Sequence, residues 1–141
     1  MRDMTNAEVR TFLTHGTRTA KLATVREDGR PHVAPVWFVL DGDDVVFTTW
    51  HTSVKGKNLD REARAALSVD LEEPPYAFVM VEGVVTISED PHELLHYATR
   101  IGTRYMGVDQ AEAFGRRNAV DGEWVVKLTM QRVVAKDDMT G

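Results

Sequence analysis

Polar and apolar positions alternate between two periods along this chain. Thr5-Asn6-Ala7-Glu8 has the form of a capping box, and Val9, Phe12 and Leu13 behind it share one helical face, so a short amphipathic helix is predicted with Gly16 as its stop. From Thr19 to Val25 the period becomes that of a strand. Asp28-Gly29 is a strong hairpin signal, and Pro31 to Leu40 reads as the return strand. Asp41-Gly42-Asp43-Asp44 turns the chain into a third strand, Val45–Trp50, and three antiparallel strands in sequence predict a meander.

Ser53 to Arg61 breaks this rhythm with a small, cationic, Gly-bearing segment, predicted to be a short helix capped by Ser53. Ala65–Leu71 is a fourth strand, closed by Glu72-Glu73-Pro74-Pro75. Tyr76 to Ser88 is almost continuously apolar and lacks the alternation of a strand with one wet face. One side of it is therefore expected to fill a barrel, and the other to be covered by a helix or a second subunit. Gly83 at its centre suits a bulge or bend. Asp90-Pro91 opens a helix to Met106 with Leu94, Leu95, Ala98 and Ile101 as the buried stripe, a second helical segment spans about Gln110–Arg117, and Trp124–Val134 is the last strand. About six strands with two or three peripheral helices predict a mainly β fold, a small barrel with helical covers in one domain over residues 1–141.

Composition narrows the function classes. A net charge of −5 leaves no general basic footprint, so neither nucleic acid nor an anionic membrane is expected as a partner. Cysteine is absent, which removes thiolate nucleophiles, disulfides and Cys-type metal sites and fits a reducing cytoplasm. No secretory leader and no apolar run of membrane-spanning length is read, so a soluble cytoplasmic protein is the expectation.

Against that acidic background, Lys55 and Lys57 concentrate charge within three residues. A helix start capped by Ser53 presents free N–H groups and the positive end of its dipole, Lys55 and Lys57 add point charges, and Asn58 adds donors, which together meet the needs of a phosphate. The same residues also describe a capped, solvated surface helix. His92-Glu93-Leu94-Leu95-His96 matches a zinc-protease pattern letter for letter. It falls in the first turns of a helix, its leucines are needed for the core stripe, and no third ligand is placed downstream, so no metal is expected. His51, beside the lysine segment, is either a proton donor or a solvated loop histidine. No Gly-x-Gly-x-x-Gly, Walker sequence or nucleophile elbow occurs.

The order of the pieces carries a resemblance. Gly29-Arg30-Pro31-His32, Pro35-Val36-Trp37-Phe38, an Asp-Gly turn, Val45-Val46-Phe47-Thr48-Thr49, Ser53-Val54-Lys55-Gly56-Lys57-Asn58-Leu59 and Val81-Glu82-Gly83 follow one another. This resembles the split β-barrel flavin-binding proteins of the pyridoxamine 5′-phosphate oxidase type, and most of all their branch of coenzyme F420-dependent reductases. The resemblance implies a homodimer with the cofactor in a groove between two chains and its phosphate on the Ser/Lys/Asn segment. It implies cofactor contacts from Ser53, Lys55, Lys57, Asn58, Arg30, His32, Pro35, Trp37, Thr48, Thr49, Trp50 and Tyr76. Among these, Trp37, Trp50 and Tyr76 would wall the ring, each otherwise being barrel core or dimer interface, and Arg30 and His32 would meet the anionic oligoglutamate tail of F420.

The departures bear on which cofactor is bound. The strand that begins with Arg and ends with Lys in the true oxidases reads Pro35-Val36-Trp37-Phe38-Val39-Leu40-Asp41 here, and Val54 precedes Lys55 where an Arg is expected. The arginines that hold the FMN phosphate are thus missing, as is the Arg-rich C-terminal pattern for pyridoxal phosphate, since the chain ends Gln131-Arg132-Val133-Val134-Ala135-Lys136-Asp137. The resulting expectation is an F420-dependent oxidoreductase passing hydride to an activated double bond of a small-molecule substrate, with no essential catalytic side chain. An FMN-binding oxidoreductase of the same fold, or a non-enzymatic flavin or deazaflavin carrier, is the alternative.

Overall fold

The computed structural model describes residues 1–141 as eight strands and four helices. In chain order these are β1 (Arg2–Asp3), α1 (Asn6–Thr14), β2 (Ala20–Val25), β3 (Pro31–Val36), β4 (Val39–Asp41), β5 (Asp44–Trp50), α2 (Val54–Arg61), β6 (Arg64–Leu71), β7 (Ala77–Ser88), α3 (Pro91–Met106), α4 (Val108–Asn118) and β8 (Glu123–Asp137). All strands pair antiparallel in the order β3-β2-β6-β7-β8-β5-β4, with β1 added on β8. The two ends of that path, β3 and β4, are consecutive in the chain and joined by Trp37-Phe38 alone. The sheet therefore curls round until its edges meet at a seam, which makes it a split barrel. No helix is long and apolar enough to cross a membrane.

The expected return strand from Pro31 to Leu40 is two strands. β3 pairs with β2, whereas β4 pairs with β5, and β5 runs beside β8 rather than β3, so the meander does not form. Phe38 is the reason. Its side chain is fully buried in the barrel, and its N–H donates to the Tyr105 hydroxyl (3.2 Å) while its C=O accepts from Arg104 (2.7 Å). Both backbone groups go to side chains of α3, so neither is left for a ladder.

The capping box at Thr5 and Glu8, the Ser53 cap of α2 and the Asp90-Pro91 start of α3 form as expected. In β7 the burial alternates, contrary to the reading of its sequence: Ala77, Val79, Val81, Gly83 and Val85 are buried and Met80, Glu82 and Thr86 exposed. The inward row joins Leu22, Phe38, Phe47, Leu59, Val69 and Leu128 in the core. The outward row mixes apolar Phe78, Met80 and Val84 with Glu82 and Thr86, and its Met80 is 46% exposed. The ladder shifts register between Glu82 and Gly83 as expected, and a Cβ on Gly83 would fall 2.0 Å from the Thr129 carbonyl oxygen, so only glycine fits the bulge. α3 and α4 cover a second cluster, Val39, Val46, Leu94, Tyr97, Ile101 and Val125, on the opposite side of the β5–β8 wall.

Candidate functional site

β5 ends at Trp50, and the chain turns through His51-Thr52 into α2. The Ser53 N–H donates to the Trp50 carbonyl (3.0 Å), and Ser53 Oγ accepts the Gly56 N–H (3.0 Å) while sharing a hydrogen bond with Thr49 Oγ1 (2.8 Å). A Cβ at position 56 would lie 2.7 Å from the Trp50 carbonyl oxygen, so glycine there lets the helix start sit directly on the strand end. Asn58 is 3% exposed and donates from Nδ2 to Thr24 Oγ1 (3.0 Å), and Leu59 enters the core. The inward face thus holds α2 against β2 and leaves its two flanks free.

The flanks differ. Val54, Lys57, Asn58 and Arg61 border a cleft of about 510 Å³ whose other wall is the β2–β3 hairpin, with Arg26, Glu27, Asp28 and Arg30. Four cations face two carboxylates. Arg26 donates to the Pro31 carbonyl (2.9 Å), Arg61 to the Val25 carbonyl, and Arg30 to Asp28 (2.7 Å), whose carboxyl is held below its usual range by the Arg30 N–H and guanidinium. These bonds fix the arginines while leaving other N–H groups facing the cleft. His32 lies opposite Thr24 in the β2–β3 ladder, and its Nδ1 is buried with no hydrogen-bond partner.

On the other flank, Lys55 approaches Glu123, the first residue of β8 and the cross-strand partner of Trp50. Burial pushes the Glu123 carboxyl above the usual carboxylate range, and Lys55, Thr48 and His51 beside it pull the other way. His51 Nδ1 is hydrogen-bonded to the Gly122 carbonyl (2.8 Å), which requires that nitrogen to carry the proton, and its ring lies between Trp50 (4.7 Å between centroids) and Trp124 (6.0 Å). Trp50 is 44% exposed.

The residues expected around the cofactor separate accordingly. Lys57, Asn58 and Arg30 meet at the cleft, together with Arg26 and Arg61, which the sequence reading passed over because Arg26 hides in a hairpin and Arg61 ends a helix. Thr48, Trp50 and Lys55 gather on the second flank with His51 and Glu123. Ser53 and Thr49 join the two from within. Pro35 is exposed on β3 opposite Lys21. Trp37 stacks on Tyr105 (4.8 Å, 5° between planes) and on Phe114 (5.9 Å), at the seam. Tyr76 precedes β7, whose first residues pair with Leu71 and Lys136, whereas Trp50 pairs with Glu123 at the opposite end of β8. One chain therefore does not bring Tyr76 to Trp50. It is half-exposed, with φ of 58°, a backbone conformation rare for an aromatic residue.

Of the zinc-like pattern on α3 only Leu94 is buried; His92, Leu95 and His96 are exposed, so Leu95 leaves the expected core stripe and Tyr97 takes its place beside Leu94, Ala98 and Ile101. Glu93 accepts from Ser88 (2.6 Å) and Lys127 (2.7 Å), which hold its carboxyl below its usual range, and His96 lies edge-on against Tyr97. The same Tyr97 donates to Asp41 on β4. This network clasps α3 to the outer face of the β4–β5–β8 wall.

Comparison with known proteins agrees with this architecture. A conserved hypothetical protein of Mycobacterium tuberculosis superposes with a TM-score of 0.85 at 26% identity, covering 96% of this chain and 86% of that one. A structure described as an F420 reductase gives 0.67 at 26% identity over 87% of this chain and 94% of its own. A FAD-binding protein of Mesorhizobium loti shares the fold at 18% identity, with a TM-score of 0.70 and 95% of each chain covered. No curated protein matches the sequence. The fold is that of flavin-type oxidoreductases. Residues 5–135 match the family model described as pyridoxamine 5′-phosphate oxidase, and the chain belongs to that family.

Proposed function

We propose that this protein is an F420-dependent reductase that passes hydride to an activated double bond of a small organic molecule, from a groove shared by two copies of the chain. The observation that carries the reading is the cationic cleft beside α2. A single phosphate needs few partners, whereas Arg26, Arg30, Lys57 and Arg61 around about 510 Å³ suit an extended polycarboxylate such as the oligoglutamate tail of the deazaflavin. On the other flank, the capped start of α2 and Lys55 suit its phosphate. The 26% identity to an F420 reductase across 94% of that chain supports the choice.

The reduced deazaflavin supplies the hydride when bound, and the protein's part is to bind, orient and exclude water. Trp50 and Trp37 offer flat apolar faces, Trp37 being held by its stack on Tyr105 and Phe114. Dimerisation is supported by the exposed Met80 on the outward row of β7, which pairs with Val134 of β8 and has Phe78 and Val84 two and four residues away on the same row. A second chain on that face would also bring its own Tyr76 within reach of a groove that one chain leaves without it.

The test is a fluorescence titration of the apo-protein with F420 and with FMN, alongside sedimentation and steady-state turnover on an activated enone. Saturable F420 binding by a dimer, with turnover, is expected. Absence of F420 binding at micromolar concentrations overturns the reading, and binding without turnover on any acceptor makes the protein a carrier.

A further inference from the structure

Glu123 is an acidic residue placed where an anion would dock. It is the cross-strand partner of Trp50, whose carbonyl accepts the Ser53 N–H at the start of α2. It follows Gly122, whose carbonyl accepts the His51 N–H, and Lys55 on that flank exerts a favourable pull on its carboxylate without a direct ion pair. The groups around it come from three elements: Thr48 on β5, His51 in the turn and Lys55 on α2. On its other side Glu89 and Asp121 line the same small cavity of about 120 Å³. Glu123 is half-buried, so its charge is only partly screened, and burial raises its carboxyl above the usual range without a buried partner to neutralise it.

The charge balance of this flank is consequently narrow. One ammonium and the helix N-terminus, equivalent to about half a unit of positive charge, stand against one carboxylate, with Glu89 and Asp121 adding negative potential behind it. Such a site accommodates one negative charge and penalises a second. The two cofactors that the fold suits differ in this respect. The phosphate of F420 is a diester with a single charge at any physiological pH. The phosphate of FMN is a monoester whose second proton leaves near pH 6, so it is close to a dianion at pH 8. The side chains that would neutralise the second charge are absent, since Val54 precedes Lys55 and Ser53 is engaged with Thr49 and Gly56.

We infer that Glu123 is a specificity-determining residue, set beside Lys55 so that the phosphate site accepts a phosphodiester monoanion and disfavours a phosphomonoester dianion. This rests on the reading that α2 holds a cofactor phosphate, and it adds what makes that phosphate selective. The device is electrostatic exclusion of the wrong ligand rather than extra affinity for the right one. It acts most strongly where both Glu123 and the monoester are fully ionised, and it relaxes as pH falls and either takes up a proton.

The experiment compares wild type with Glu123→Gln and Glu123→Asp, measuring equilibrium affinities for F420 and FMN at pH 8 and pH 5.5, with thermal midpoints to confirm folding. Wild type is expected to prefer F420 more strongly at pH 8 than at pH 5.5. Glu123→Gln is expected to bind FMN about tenfold more tightly at pH 8 and to change F420 affinity by less than about threefold, because removing one neighbouring charge matters more to a dianion. Glu123→Asp keeps the charge and should keep the preference. An FMN-to-F420 affinity ratio that is unchanged in Glu123→Gln overturns the inference. If wild type binds F420 but the ratio does not move, this role of Glu123 fails and the reductase reading stands. If wild type does not bind F420 at all, the reading itself fails, and the role of Glu123 falls with it.

Discussion

The two lysines of α2 are two residues apart, yet they stand in different surroundings. At about 100° per residue a helix turns them roughly 200° from each other. Lys57 enters an open cleft among three arginines, while Lys55 is half-buried against a carboxylate and an aromatic flank. A cluster in the sequence has become two sites in space. On the proposed function, the open one would take many weak contacts with a flexible polyanion, and the narrow one a single charge.

Substitutions at the helix test this division, beginning with what the flanks share. Leu59→Ala should cost about 2–5 kcal/mol of stability, since Leu59 is the core anchor of α2. Chemical denaturation would measure it, and both flanks should weaken together. Asn58→Ala should cost about 1–3 kcal/mol by leaving the buried Thr24 hydroxyl without its donor, again on both flanks. The flanks should then part. Lys55→Ala is expected to lower F420 affinity by about ten- to a hundredfold, as befits a charge-assisted contact worth about 1.5–3 kcal/mol, with the thermal midpoint nearly unchanged. Lys57→Ala should cost only a few-fold, with a loss that shrinks in high salt because its partners are exposed. Equal losses from the two lysines would erase the distinction between a narrow and an open flank.

The smallest effect is one of pH on the apo-protein. Because Glu123 has a raised constant in the folded state, it holds its proton longer there than in the unfolded chain. Its ionisation therefore costs stability as pH rises from the unfolded carboxylate range, about 4.3, through the higher folded value. Glu123→Gln should raise the thermal midpoint at pH 7 and leave it unchanged at pH 4. A midpoint that falls at pH 7 would mean that Glu123 is held as a favourable ion pair.

Local signals in the sequence were reliable wherever the cause was local. Ser53 caps α2, Asp90-Pro91 starts α3, Asp28-Gly29 turns the hairpin and Gly83 sits in the bulge, since each is decided within a few residues. What escaped was decided at long range. The break of the Pro31–Leu40 run depends on Arg104 and Tyr105, more than sixty residues away, capturing the backbone of Phe38. The alternation of β7 was masked because several of its outward positions, Phe78, Met80 and Val84, are also apolar. In the site, Lys55, Lys57 and Asn58 were legible as a group, but their division was not, because spacing alone does not say which neighbours each flank will meet. Glu123 gave no signal of its own. It matters only through the register that sets it opposite Trp50.

The seam between β3 and β4 bears on how the barrel breathes. Elsewhere the wall is a continuous ladder, but here closure depends on Arg104, which donates to the carbonyls of Leu13, Gly16 and Phe38, and on the Tyr105 hydroxyl, which accepts from Phe38 and donates to Arg18. A wall held by side chains opens at lower free energy than one held by a ladder, so amide hydrogen exchange should be fastest along β3 and β4 and slowest in β7 and β8. Trp37 sits on that seam, stacked on Tyr105. A ligand that rests on Trp37 would therefore slow exchange in the last turn of α3, and motion of that helix would in turn be felt by the ligand.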